Sequence, residues 1–262
     1  MTPNRAATAR ERARAELTRE IKEEARRQLA ANGADGLSLR AVAKELGMVS
    51  SALYRYYPSR DDLLTALIID AYNALGEAAE QATVGTGSGR DRWIAACHAI
   101  RDWARSNPHE YALIYGSPVP GYRAPEATVG PAARVPLVFV GVLAAAVASG
   151  EFDAATDALP LTAVLAEQAA VLSALISRQA ASLVPPVSPE SAESAESAES
   201  SVGEGTQAGV PPDALVRAVI AWTQLFGMIS FELFGQFVGS FEPADTLFDY
   251  AVAQLAAFVG LE

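Results

Sequence analysis

LSLRAVAKELGMVSSALYRYYPSR, residues 37–60, is the stretch from which the fold follows. Leu39, Val42, Ala43 and Leu46 fall at i, i+3, i+4 and i+7, which makes one apolar face of a short helix. Ser38 stands before them as an N-cap, and Gly47 follows where a left-handed residue stops the helix. A second short helix is predicted from about Ser50 to Tyr57, with Leu53 and Tyr57 turned inward. Its other face carries Ser50, Ser51, Ala52, Tyr54, Arg55 and Tyr56. Small polar residues at a helix start, followed by aromatics and an arginine, suit a helix laid in the DNA major groove. The small side chains permit close approach to base edges, and the longer ones reach phosphates.

Outward from this segment the periodicity is helical throughout, and strand-like alternation is nearly absent, so an all-α fold is expected. A long helix is expected from about Ala9 to Ala31, because Leu17, Ile21, Ala25 and Leu29 repeat at i+4 before Asn32-Gly33. After Pro58, Ser59-Arg-Asp-Asp62 has the capping-box pattern and opens a helix over about 60–82. Further helices are expected at about 90–106, 109–116, 132–149, 158–182, 212–239 and 243–260. The glycine-rich run Gly85–Gly89 follows a helix and lacks GxxxxGK[ST], so it reads as a hinge rather than a phosphate cradle. Residues 184–212 hold three Ser-Ala-Glu repeats between prolines and read as a disordered loop. The expected organisation is a flexible arm at 1–14, a DNA-binding domain at 15–75 and a C-terminal domain at 76–262.

Charge agrees with this division. The net charge is −11, yet residues 1–60 hold 12 Lys+Arg against 7 Asp+Glu, a balance of +5. The remainder holds 8 and 24, a balance of −16, and no lysine follows Lys44. A basic nucleic-acid module on an acidic body is implied. The one cysteine, Cys97, fits a reducing cytoplasm. No signal peptide is read, since residues 1–36 are charged throughout. The longest uncharged run, Val135–Gly150, is short of the roughly 20 residues of a membrane span, so no membrane is expected. His98 and His109 lie eleven apart with one cysteine beside the first, and no GxSxG occurs. No catalytic residue, metal site or cofactor is therefore expected. The rival reading is an enzyme or a helical small-molecule-binding protein without DNA-dependent regulation.

The pattern of residues 15–75, through LSLRAVAKELGMVSSALYRYYPSRDDLL, resembles the TetR family of bacterial transcriptional regulators. The resemblance implies a homodimer with a three-helix DNA-binding domain and a larger helical domain that dimerises and binds an effector. It implies DNA contacts from Ser38, Arg40, Val49, Ser50, Ser51, Ala52, Tyr54, Tyr56 and Arg60. Arg40 would reach bases or phosphates, Ser50 to Ala52 would read bases, and Tyr54, Tyr56 and Arg60 would contact phosphates. Read from the residues alone, Tyr54 and Tyr56 suit either phosphate contact or the edge of the core, and Arg55 suits either solvent or DNA. The C-terminal body resembles the subgroup with a Trp-His-Gly signature, through AWTQLFGMISFELFGQF (221–237) and NPHEYALIYGSPVPGY (107–122). The histidine of that signature is replaced by Phe226. Trp93, Trp103, Tyr111, Tyr115, Trp222 and Phe226 are the candidate lining of a ligand pocket, with core packing as the other reading. Gly116, Gly141 and Gly227 are expected to leave it room. The expected partners are double-stranded DNA with a palindromic operator, a second copy of the chain and a mainly apolar small molecule. Repression is the family's usual mode.

Closure entropy changes slowly with loop length. Deleting residues 191–200 should therefore move the melting temperature by no more than about 2 °C, read by a thermal melt against the full chain.

Overall fold

The computed structural model describes residues 5–85, 87–153, 159–183 and 210–262. The expected loop at 184–212 lies almost wholly outside them. The described residues form α1 (Arg5–Asn32), α2 (Leu39–Glu45), α3 (Ser50–Leu53), α4 (Arg60–Ala82), α5 (Gly89–Ser106), α6 (Pro108–Tyr115), α7 (Val129–Ser149), α8 (Ala163–Leu183), α9 (Pro212–Leu233) and α10 (Asp245–Phe258). Among them the only strand-like pairing is the isolated antiparallel bridge Phe152–Leu261. The all-α expectation holds. Contacts divide the chain into two compact units, Met1–Glu77 with Arg101–Ala132 and Ala78–Ile100 with Ala133–Glu262. The division falls inside α4, α5 and α7 rather than in the glycine-rich loop expected to act as a hinge.

In the first unit, α1, α2, α3 and α4 close around one core. Ile21, Ala25 and Leu29 of α1 meet Leu39, Val42 and Ala43 of α2, Leu53 of α3, and Leu63, Leu64 and Leu67 of α4. The ends of α2 are fixed locally. The Ser38 hydroxyl accepts from the Ala41 N–H at 3.4 Å. At the far end Gly47 adopts φ 64°, Met48 N–H reaches the Ala43 carbonyl and Gly47 N–H reaches that of Lys44. Those two bonds form a Schellman stop, which satisfies carbonyls the helix leaves open. At Ser59 the N-cap half of the expected box is formed: Asp62 N–H donates to the Ser59 hydroxyl, which in turn donates to the Asp62 carboxylate.

Two expectations shift. The recognition segment is helical only from Ser50 to Leu53; residues 54–56 continue as turns, with Arg55 N–H on Ala52 and Tyr56 N–H on Leu53. Pro58 disfavours helical backbone at Tyr57, so the last turn tightens to i→i+3 bonds instead of extending. At the other end, α1 starts at Arg5, ahead of the expected start near Ala9, so part of the arm expected at 1–14 is helical. Ala and Arg dominate this stretch and have high helix propensity, and residues 9–16 are helical while fully exposed.

The segment from α6 to Tyr122 also belongs to the first unit. Leu113, Ile114, Val119 and Tyr122 pack on its core, and the Tyr122 hydroxyl bonds Thr65 Oγ1 at 2.9 Å. Glu110 faces Arg26, which with Lys22 also holds Asp70 of α4.

The second unit packs α7, α8, α9, α10 and the start of α5. Trp93 lies on Phe139 with ring centroids 4.6 Å apart. Cys97 is fully buried, and burial pushes its thiol up, which leaves it unreactive. The start of α5 is tied to the chain end: Gly89 N–H donates to Glu151 at 2.6 Å and Arg90 donates to the Leu261 carbonyl at 3.1 Å. Gly260 has φ 96° and sits where a Cβ would come within 2.5 Å of the Asp153 oxygen, so no other residue fits there. Two helices are long and apolar enough to cross a membrane by length and composition, Glu126–Ser149 and Pro212–Leu233. The first carries Arg134 in a two-pronged pair with Glu80, and the second carries Arg217, which is 6% exposed beside Asp213. The structured α9 ends at Leu233, short of the expected 239. Beyond it Gly235 and Gly239 take left-handed φ values that break the helix.

Because α3 is a single turn, its position rests on Leu53, which is 0% exposed. Leu53→Ala should cost about 2–5 kcal/mol. Val49→Ala, at a residue 70% exposed, should cost less than about 0.5 kcal/mol. Urea denaturation of both variants checks the contrast.

Candidate nucleic-acid interface and ligand cavity

The turn between α2 and α3 presents a continuous exposed strip. Arg40, Val49, Ser51, Tyr54 and Arg55 are exposed; Ser38, Ser50, Ala52, Tyr56 and Arg60 are half-buried. Buried Leu53 sets the rotation of α3 so that the Ser50 to Ala52 face is displayed. Tyr54 is 41% exposed, which places its ring on the surface rather than in the core. Tyr56 does both tasks: it packs against the core and lies beneath Arg14, whose guanidinium carbon stands 5.8 Å from the ring centroid. Arg60, expected at a phosphate, has partners within the chain. Its guanidinium donates to the Ala34 carbonyl at 2.7 Å and pairs with Asp61 and Asp35. The signal for this partner lies 26 residues away in sequence, where helical spacing says nothing.

The aromatic candidates separate. Trp222 lines a cavity of about 320 Å³ in the second unit. The walls are Pro136, Phe139 and Val140 from α7, Leu172 and Ile176 from α8, and Leu215, Ala218 and Val219 beside Trp222 on α9. Phe226 packs tilted against Trp222 with ring centroids 5.5 Å apart, and Trp93 contacts Phe139. Tyr111 and Tyr115, with ring centroids 5.3 Å apart, pack inside the first unit, where Tyr72 meets Tyr115 edge-on. Burial raises the Tyr115 phenol well above its ordinary range. Trp103 likewise belongs to the first unit. Gly141 and Gly227 are exposed, with open space where a Cβ would go, so neither makes room for this cavity. The cavity wall is almost wholly apolar. Trp222 adds one feature: its buried indole N–H has no acceptor among the described residues.

The apolar periodicity of α9 did contain part of this site, since Leu215, Val219 and Trp222 fall on one stripe. The α7 and α8 walls had no comparable signal.

A model of the bacterial regulatory proteins of the tetR family matches residues 21–67, and one of the tetracyclin repressor-like C-terminal domain matches residues 93–255. HTH-type transcriptional regulators of Mycobacterium bovis and Mycobacterium tuberculosis are 49% identical over 151 residues, covering 56% of this chain. The match spans 64% of those relatives' length. Among solved structures, the regulatory protein SCO4313 is 30% identical with a TM-score of 0.66, over 98% of this chain and 100% of its own. A protein of unknown function from Rhodococcus sp. RHA1, 21% identical over 94% of this chain and 96% of its own, shares the fold with a TM-score of 0.61.

Removing the Arg60 guanidinium leaves the Ala34 carbonyl with the longer Leu37 N–H bond of 3.3 Å alone. Arg60→Ala should cost about 1 kcal/mol of stability, read by denaturation in the absence of DNA.

Proposed function

We infer the function from one premise, that the chain belongs to the tetR family of bacterial regulatory proteins, together with the geometry of its helix-turn-helix. The protein is a sequence-specific DNA-binding transcriptional regulator that binds a palindromic operator as a homodimer and is released by a small molecule. The observation that carries this reading is the exposed face of α3, fixed by Leu53 and rimmed by Arg40, Tyr54 and Arg55. A single turn reads only a few base pairs, so specificity requires a second copy related by two-fold symmetry. The relatives' names as HTH-type transcriptional regulators support it.

Dimerisation is supported by exposed apolar side chains on α8 and α9. Val164, Val171 and Leu175 lie uncovered on α8, and Val219, Ile220 and Phe231 on α9. A row of this kind costs free energy in water and is covered by a second copy. Ile229 of α9 is 0% exposed, whereas Leu175 of α8 is 50% exposed. Only the latter tests the interface without opening the core.

The effector is a mainly apolar molecule in the α7–α8–α9 cavity, with an acceptor for the Trp222 N–H. It is bound and returned unchanged, so no catalysis is assigned. Linkage makes the effect reciprocal: the effector weakens DNA binding by the factor by which DNA weakens effector binding. Such a regulator works in the cytoplasm.

A footprint on the DNA upstream of the protein's own gene tests the reading, with a protected palindrome as the expected result. Ser51→Ala should change the preferred bases, Tyr54→Ala should weaken binding to all sequences, and Leu175→Glu should give a folded monomer by light scattering. Equal affinity for the protected region and for random duplex would remove sequence-specific regulation.

A further inference from the structure

The expected contact set leaves out the N-terminal turns of α1, and these carry a feature that packing does not explain. Residues 9–16 are all exposed, so this part of the helix buries no apolar face. It is nevertheless helical, and it forms one wall of a groove of about 470 Å³ against the α3 region. Arg10, Arg14 and Arg55 border the groove, and Leu17, Met48 and Tyr56 contribute apolar wall. Ala52 also lines it, directly beside the serines assigned to base reading.

Several cations of the first unit have carboxylate partners, and of those without one, such as Arg12, Arg40 and Lys44, only Arg10, Arg14 and Arg55 border this groove. Arg19 pairs with Glu16 and Glu23, Lys22 and Arg26 with Asp70, Arg27 with Glu24, and Arg60 with Asp61 and Asp35. No carboxylate among the described residues pairs with Arg10, Arg14 or Arg55. Three unneutralised guanidinia around one opening repel each other, and an anion placed between them relieves that repulsion. Arg14 is held in place by the Tyr56 ring, so less freedom is lost when it engages an acceptor. Arg10 and Arg14 are one turn apart, about 6 Å along the axis, which suits an extended row of charges better than one compact ion.

We propose that the groove between α1 and α3 is a phosphate-binding track, in which Arg10, Arg14 and Arg55 hold the DNA backbone flanking the bases read by α3. The inference rests on the DNA-binding reading. It adds contacts on the N-terminal side of α1, outside the turn and recognition helix. These contacts carry no base preference. They fix the register of the duplex against Ser50 and Ser51.

The test uses the full chain and a fluorescently labelled 30-base-pair duplex of arbitrary sequence, because phosphate contacts do not depend on sequence. Affinity is measured by anisotropy from 50 to 200 mM salt for wild type, for Arg10→Gln/Arg14→Gln/Arg55→Gln, and for the matching triple lysine variant. Three lost phosphate contacts lower the slope of log K against log salt by about 2.7. Over that range, wild-type affinity should then fall about 40-fold more than that of the glutamine variant. The lysine variant should keep most of the wild-type slope, because it keeps the charge. Wild-type binding with the same slope in the glutamine variant overturns this inference alone. So does a variant whose lower affinity tracks a lower melting temperature with the slope unchanged. A wild type that binds no duplex at any salt concentration removes the DNA-binding reading and the groove with it.

Discussion

The exposed surface of this protein depends on the burial of Leu53. A single helical turn has no stability of its own, since nucleation costs more than one hydrogen bond returns. What keeps Ser50 to Leu53 helical is one leucine set into a core built by α1, α2 and α4. That anchor also fixes rotation, because turning α3 by one residue would withdraw the serines and expose the leucine. The Schellman stop at Gly47 and the box at Ser59–Asp62 then set the chain's direction on either side. The surface proposed to meet DNA can therefore be small and polar without being loose.

How legible each part was in the sequence follows from how local its causes are. Ser38, Gly47 and the Ser59–Asp62 box act within a few residues, so spacing alone located them. The Leu39–Leu46 face repeats at the helical period and was equally readable. The cavity is different. Phe139, Leu172 and Leu215 meet across three helices, and nothing in one helix's periodicity tells which partner it will face. Aromatic type pointed to Trp222, which borders the cavity, but equally to Tyr111 and Tyr115, which do not. Those rings are consumed by the packing of α6 in the first unit. The partner of Arg60 was equally hidden, because residue type suggested a phosphate and gave no sign of the carbonyl 26 residues away to which it donates.

The segment from Pro108 to Tyr122 changes how the C-terminal part of the sequence is understood. By composition it reads as body, yet its side chains complete the core of the unit that carries α3. Leu113, Ile114 and Val119 supply apolar cover, and Tyr122 bonds Thr65 on α4. Glu110 and Asp70 share Arg26, so α1, α4 and α6 are pinned at one polar junction. An arrangement of this kind resists independent movement of the three helices, because breaking one pair leaves a half-buried charge short of its partner.

Charge pairing extends that logic along α1. From Arg19 onward, α1's cations are neutralised by carboxylates on α1 itself, α4 and α6, so in the structured unit they stabilise the fold. Arg10 and Arg14 have no such partners, and residues 9–16 face no core. If charge served only solubility, the acidic remainder of the chain, at −16, would already suffice. The basic excess of the first 60 residues is instead concentrated where the fold leaves it unspent, on the early turns of α1, on α2 and on α3. That distribution separates two uses of the same residue type. Paired arginines hold helices together, and unpaired ones await an anion from outside the chain.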